Sequence, residues 1–505
     1  MNVLKLSQLT QDLLVKRMIG NPDTEITGIK SYSGSVTPGD LFICVPGVLA
    51  DGHDYVNEAI QRGCAALMAE KKVERLEGSI PCIVVPDTRR AMAVLADAYY
   101  GHPSNAMNLI GVTGTNGKTT TTHMIEHIFH HTGHKTGLIG TVSMKLGSYI
   151  EKTENTTPES LVLQSMLKRM ADREAKYAVL EVSSHALRMG RVRGCNFKTA
   201  VFTNLSHDHL DYHSSMDQYL EDKSILFGQL GNSYGSLPKV AILNADDPFS
   251  KKLAAKTSAQ VIHYGIDQPS DVRASEIRMN QESTSFWLDT YLGSTWIHLN
   301  VVGIFNVYNA LAAIAVSLVE GIPLEDIKQR LEGFKGVKGR FQAIETGQDF
   351  QVIVDYAHNP DGLEKVISTA RAIIKGKIIA LIGCEGDRDK AKRPIMAAKA
   401  AILADKAILT SDNPRSERSE SILEDMVRGL DNAGLSRCET ITSRKDAIHR
   451  ALELAKTGDC VLILGKGHET QQIFKDHQIP FDDAEIAMHW LESKKLQGRW
   501  RNEVC

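Results

Sequence analysis

A glycine-rich run, Gly111-Val112-Thr113-Gly114-Thr115-Asn116-Gly117-Lys118-Thr119-Thr120-Thr121, holds the residue types that wrap a phosphate. An apolar stretch, 107–112, leads into it and a helix-like stretch, 119–130, leads out. Strand, turn and helix in that order are the context such a loop needs. Gly114 and Gly117 open backbone conformations closed to residues with a Cβ. The helix N-terminus then presents free N–H groups and a partial positive charge to an anion. Lys118 adds a full charge and Thr119 a hydroxyl suited to Mg²⁺. The strict Walker pattern asks for glycine five places before Gly117, where Val112 stands, so the loop is a variant. The bland alternative, an ordinary strand-to-helix turn, leaves Lys118 and Thr119 unexplained at the places the phosphates would occupy.

Glu181 closes the apolar stretch 177–181. A carboxylate at a strand end beside a phosphate loop is a natural Mg²⁺ ligand. Residues 204–213 hold His207, His209 and His213 with Asp208 and Asp211. A zinc site is the rival reading, disfavoured by the absence of cysteine; a solvated polar loop is the bland one. His209 is the candidate second metal ligand. Lys223 reads as an ordinary helix lysine, and the residues around it give no reason to single it out.

These groups need elements to hold them. The chain has 505 residues, too many for one core, and three α/β domains are expected. Residues 1–103 read as a small domain with strands at 41–45, 65–69 and 82–85 and helices at 55–62 and 89–100. Residues 104–335 carry the phosphate loop, with further strands at 137–140, 177–181, 200–203 and 240–244 and an Ala-rich helix over 303–321. Helical stretches between most of these strands predict a mainly parallel sheet. Residues 335–339 read as a hinge. Residues 336–505 repeat the rhythm in a Rossmann-like way, with strands at 351–355, 378–383, 407–410 and 461–465. Each is followed at once by polar residues, and ligands of open parallel sheets bind at the carboxyl ends of strands.

Composition excludes other classes. With 42% hydrophobic and 24% charged residues the chain is an ordinary soluble protein. A formal net charge of −3 gives no basic field for nucleic acid. No apolar run spans a bilayer, and no signal peptide opens the chain, so a cytoplasmic location is expected. The eight cysteines are scattered without a Cys-x-x-Cys pair and read as free thiols.

An ordered motif series joins these pieces: 113–119, 181–185, 208–213, Gly303 to Asn309, Gly339-Arg340-Phe341 and Asp355-Tyr356-Ala357-His358. In that order, over nearly the whole chain, the series resembles the Mur ligases. The resemblance implies three-domain, ATP-dependent amide-bond formation in peptidoglycan precursor synthesis. It is similar in detail to the branch that adds an amino acid to UDP-N-acetylmuramoyl-L-Ala-D-Glu through an acyl phosphate. It implies ATP and Mg²⁺, small-molecule substrates and a monomer. Lys118, Glu181, His209 and Lys223 become the catalytic set, with Lys223 carbamylated and Thr119 joining the other metal ligands. Gly114, Thr115, Asn116, Gly117, Lys118, Thr119, Thr120, Asn306, Asn309, Arg340 and Asp355 become the ATP contacts. Ser33, Asn155, Thr156, Thr157, Ser183 and Arg191 become contacts to the nucleotide-sugar peptide. Arg388, Asp412, Asn413, Pro414, Arg415, Gly465 and Glu469 become contacts to the amino acid. The Asp412-Asn413-Pro414-Arg415 run, with Glu417 close behind, resembles the signature for meso-diaminopimelate, whose distal carboxylate an arginine can grip with two donors.

Three departures mark a divergent member: Tyr32-Ser33-Gly34 in place of Asp-Ser-Arg, Asn359 in place of threonine, and Glu385 in place of glycine. Competing readings are a related ligase using L-lysine or another acceptor, of folylpolyglutamate or cyanophycin type, and a non-catalytic nucleotide-sugar binder.

Overall fold

Strand and helix alternate along the chain and sort into three principal sheets. The computed structural model describes residues 3–47, 50–71, 80–232 and 238–496. The N-terminal sheet has five strands, four of them parallel, with Arg17–Ile19 antiparallel at one edge. The central sheet has eleven strands and the C-terminal sheet six.

In the middle of the central sheet, Asn108–Thr113 lies parallel between Tyr177–Glu181 and Phe197–Phe202. Both faces are covered, as parallel sheets require. Ile110 and Val112 point into one core with Ile125 and Phe129 of the helix Lys118–His131. Leu109 points into the opposite core with Leu226 and Phe227 of the helix Met216–Gly228. The helix Ile304–Val319 is apolar beyond Asn309 save for Ser317 and buried along most of its length, and it packs against Lys118–His131. Gly111 is small for a packing reason: a Cβ there would stand 2.8 Å from the Phe197 ring.

The expected strands 177–181, 240–244 and 351–355 appear at those bounds. The structure adds what the sequence reading lacked. Met144–Leu146 and Tyr149–Glu151 form a hairpin on one edge of the central sheet, and Val272–Met279, Thr284–Thr290 and Gly293–Leu299 an antiparallel meander on the other. Val272–Met279 and Thr284–Thr290 mix buried residues with half-buried or exposed, often charged, ones, so their apolar signal is weaker than that of the doubly covered strands. Among the described residues no helix is long and apolar enough to cross a membrane. Seven cysteines are free; Cys505 lies outside the described residues.

Candidate active site

The phosphate loop is shaped by its two glycines. Gly114 has φ +150° and Gly117 φ +86°, and Gly117 caps the helix Lys118–His131. A Cβ on Gly117 would stand 2.4 Å from the Asn309 Oδ1. Asn309 is held by Asn306, whose Oδ1 accepts from its Nδ2 at 3.1 Å, so Asn306 supports the wall from behind.

Two amines converge behind this loop. Lys118 Nζ donates to the carbonyls of Gly114 (2.9 Å) and Thr115 (2.8 Å), and Lys223 Nζ to that of Gly114 (2.9 Å). Lys223 is fully buried and lies over the Tyr219 ring at 4.4 Å. Burial drives its amine well below the ordinary lysine value, and the Lys118 charge pushes the same way against Asp208 and Asp222. Burial also lowers Lys118, with Glu181 and Asp208 opposing. The tertiary environment therefore distinguishes Lys223, which in sequence looks ordinary.

Glu181 is completely buried. Its oxygens accept from the Thr119 hydroxyl (2.9 Å) and from the Thr141 amide (2.9 Å) and hydroxyl (3.0 Å). It makes no salt bridge to a described residue, so this buried carboxylate is a place where a cation is stabilised. Thr141, which the sequence reading missed, sits in the turn after Thr136–Ile139; only its threonine type hinted at a role.

The 204–213 segment divides its labour. His209 has φ +55°, and its ring meets that of His185 edge-on at 5.1 Å. Desolvation pushes its imidazole down to about 3, with Asp208 opposing. The side chain keeps 41% exposure, so a neutral ring is the direction the geometry supports. His213 stands four residues on, a zinc-like spacing, but both its ring nitrogens are engaged, with Ser184 Oγ (2.9 Å) and Asp222 Oδ2 (2.8 Å). No group of three or more His, Cys, Asp or Glu among the described residues could hold a metal. Mg²⁺ asks less, since it keeps waters and takes one or two carboxylates with substrate phosphates.

The C-terminal domain closes over the loop. Arg340, just after the 335–339 turn, donates to the Thr119 hydroxyl at 3.1 Å and lies over the Tyr356 ring at 4.6 Å. Its Nε is buried without a hydrogen-bond partner among the described residues. Asn116 Nδ2 donates to Asp361 (2.8 Å), which also accepts from Ser206 (3.0 Å). Asn359 caps the helix Pro360–Ile373 and sends Nδ2 across to Asp208 Oδ2 at 2.9 Å and Asn116 Oδ1 at 3.3 Å. Between the domains lies a cleft of about 530 Å³, lined by Asn116, Gly117, Thr120, Asn309, Arg340 and Asp355 among others. Burial raises the Asp355 carboxyl, with Arg340 opposing.

The residues assigned to the nucleotide-sugar peptide are partly gathered. Thr156 pairs with Thr141 (3.0 Å), Thr157 donates to the Glu181 carbonyl (2.8 Å), and Arg191 donates to the Thr157 carbonyl (2.9 Å). Ser183 caps the short helix Ser184–Arg188. Asn155 is exposed. Ser33 sits in the N-terminal domain and donates to Glu58 at 2.7 Å, apart from the others.

The amino-acid residues form a second cluster at the carboxyl ends of adjacent parallel strands, Ile378–Cys384 and Lys406–Ser411. Lys466, fully buried and overlooked in the sequence beside Gly465, donates to Asn413 Oδ1 (2.9 Å) and Glu469 Oε2 (2.8 Å). Gly465 is small because a Cβ would stand 2.6 Å from Asp412 Oδ2. Burial raises the Asp412 carboxyl to about 6, with Lys466 opposing. Pro414 leads into Arg415, at φ +52°. Arg415 Nη2 pairs with Glu385 at 2.7 Å, and Arg388 Nε stands 3.6 Å from the same carboxylate. Burial works against the Glu385 charge, yet Arg415 and then Arg388 outweigh it and hold that carboxyl down at about 2. Glu417 lies outside the cluster's centre, paired with Arg393.

Known proteins share this organisation. Family models match as the Mur ligase family catalytic domain over 25–100, the Mur ligase middle domain over 112–317 and the Mur ligase glutamate ligase domain over 339–467. A curated relative from Bacillus licheniformis, a UDP-N-acetylmuramoyl-L-alanyl-D-glutamate–2,6-diaminopimelate ligase, is 48% identical over 96% of this chain and 98% of its own. The protein of that name from Bacillus cereus is 46% identical over 99% of this chain and 100% of its own. A solved structure of a ligase of that name matches with a TM-score of 0.68 at 29% identity, covering 98% of this chain and all of the other. A MurF ligase from Thermotoga maritima in complex with ADP shares the fold, with a TM-score of 0.63 at 19% identity over 93% of this chain and 98% of its own. The chain belongs to the Mur ligase family.

Proposed function

We propose that this protein is an ATP-dependent ligase that joins meso-diaminopimelate to UDP-N-acetylmuramoyl-L-Ala-D-Glu. One observation carries the reading. Lys118 and Lys223 meet at the Gly114 carbonyl beside Thr119 and its hydrogen-bond partner Glu181, with Arg340 reaching in from the opposite domain. Lys118 and Arg340 bring positive charge to the place where a phosphoryl group would transfer, and such transfer depends on positioning and charge neutralisation.

The side-chain carboxylate of D-Glu attacks the γ-phosphorus of ATP, and ADP leaves. The amine of the incoming amino acid attacks the acyl phosphate carbonyl, phosphate departs, and the nitrogen sheds a proton. Lys118 and Arg340 stabilise charge on the phosphates. Thr119, Glu181, His209 and a carbamate on Lys223 would hold Mg²⁺, which supplies further charge neutralisation. A neutral lysine amine is the form that adds CO₂, and burial shifts Lys223 toward that form. The contacts of Asn359, Asp361 and Arg340 keep the two domains closed over the cleft, which protects an acyl phosphate from water. Thr156, Thr157 and Arg191 line the approach of the peptide to Glu181, and Arg415, Arg388 and Glu469 receive the amino acid. The enzyme acts as a cytoplasmic monomer.

Purified protein given ATP, Mg²⁺, UDP-N-acetylmuramoyl-L-Ala-D-Glu and a panel of amino acids tests this by product mass. The expected product is the diaminopimelate tripeptide. Absence of an amide product with every amino acid would overturn the reading.

A further inference from the structure

We infer that Glu385 is an internal competitor for the amino acid's distal carboxylate and thereby sets the selectivity of the amino-acid site. The inference rests on the proposed role of Arg415 and Arg388.

Glu385 is not a loose surface carboxylate. It follows the strand Ile378–Cys384, and its side chain is only 19% exposed. Its loop is laced to the 412–417 loop: Gly386 N donates to the Asn413 carbonyl at 2.9 Å, and Ser416 Oγ to Asp387 at 2.6 Å. A Cβ on Gly386 would stand 1.8 Å from the Pro414 carbonyl oxygen, so the two loops pack backbone against backbone here.

Held there, Glu385 meets both Arg415 and Arg388. It takes Arg415 Nη2 at 2.7 Å and lies 3.6 Å from Arg388 Nε. Nη2 carries one hydrogen on each two-pronged edge of the guanidinium, so Glu385 takes a donor from one of the two edges a carboxylate could use. Arg415 Nε remains buried with no hydrogen-bond partner among the described residues. The arginine is thus half satisfied: it has a donor left for an anion, and a fixed carboxylate next to where that anion would sit. A distal carboxylate entering the pocket must displace Glu385 or tolerate a like charge beside it. A ligand ending in an ammonium alone meets no such opposition. The site therefore discriminates between diaminopimelate and lysine less than the bare pair of arginines would.

Titration calorimetry with meso-diaminopimelate and with L-lysine, on the full-length protein and on Glu385→Gln and Glu385→Ala, tests this. Glutamine removes the charge and keeps the shape; alanine also frees Nη2. The expected result is diaminopimelate binding tightened by roughly 10-fold in the alanine variant, the scale of one charge-assisted contact, and by a smaller factor in the glutamine variant. Lysine binding should be unchanged or weaker. Unchanged or weaker diaminopimelate binding in a folded variant of either kind would overturn the inference. The product-mass assay fails separately: absence of tripeptide would remove the proposed function and leave the binding comparison to decide the role of Glu385.

Discussion

Asn359 does two jobs that substitution can separate. Its Oδ1 accepts from Gly362 N at 2.7 Å and caps the helix Pro360–Ile373, and its Nδ2 crosses the domain boundary to Asp208 at 2.9 Å. Asp208 is buried; burial alone would raise its carboxyl, but His358, His209 and Lys392 hold it well below the usual range, so it accepts as a charged group. Loss of a helix cap costs about 1 kcal/mol. A hydrogen bond to a charged group is worth about 1.5–3 kcal/mol, or roughly 10- to 150-fold in an equilibrium. Asn359→Ser keeps a capping oxygen but is too short to reach Asp208; Asn359→Ala loses both contacts. The two variants should therefore lose kcat/KM for ATP alike, by ~10- to 150-fold, because the closed, competent state becomes rarer. Both variants lose the bridge, so the alanine variant should melt earlier than the serine variant by the cap alone. Steady-state kinetics and thermal melting read the two effects independently. Wild-type kcat/KM in both variants would refute the bridge as a support of domain closure.

Three further outcomes follow from the same geometry. Lys118→Ala should cut ATP-dependent turnover by at least ~100-fold, the scale of one transition-state electrostatic contact, and near-normal turnover would remove the phosphate-loop assignment. Lys223→Ala should be nearly inactive and regain part of its activity with added acetate or formate, which can supply the missing oxygen ligand; a fully active variant would eliminate the carbamate. Asp412 bears on stability: its carboxyl stands at about 6 when folded against 3.8 for the free group, so between those values the native state holds a proton that the unfolded chain has released. Stability contributed by this group is lost as pH rises through that window. Melting temperatures from pH 4 to 7 should show a shallower fall in Asp412→Asn than in wild type, and identical slopes would count against the raised value.

Local signals were readable where one short segment carries the whole function. The phosphate loop needs glycines, a lysine and a hydroxyl in consecutive places, and the doubly buried strands Tyr177–Glu181 and Val240–Asn244 are apolar along their length. Roles created by distant partners were not. Lys223 is a helix lysine until the fold removes water from it, and Thr141 is one threonine among many until Glu181 comes within 2.9 Å. Asn359 stood out as a departure from the resembled motif, but its reach to Asp208, 151 positions away in sequence, is a property of domain closure. Lys466 was passed over between Gly465 and Glu469 because a lysine in a polar loop is normally solvated; here it is fully enclosed. The meander Val272–Leu299 escaped because one face of each strand stays in water.

The central claim is that ATP activates a carboxylate as an acyl phosphate before an amine attacks it. It is tested most directly by placing ¹⁸O in the side-chain carboxylate of the D-Glu residue of UDP-N-acetylmuramoyl-L-Ala-D-Glu and following the label through turnover with meso-diaminopimelate. The account predicts that one labelled oxygen passes to each phosphate released, in step with amide formation. Unlabelled phosphate accompanying tripeptide formation would contradict it.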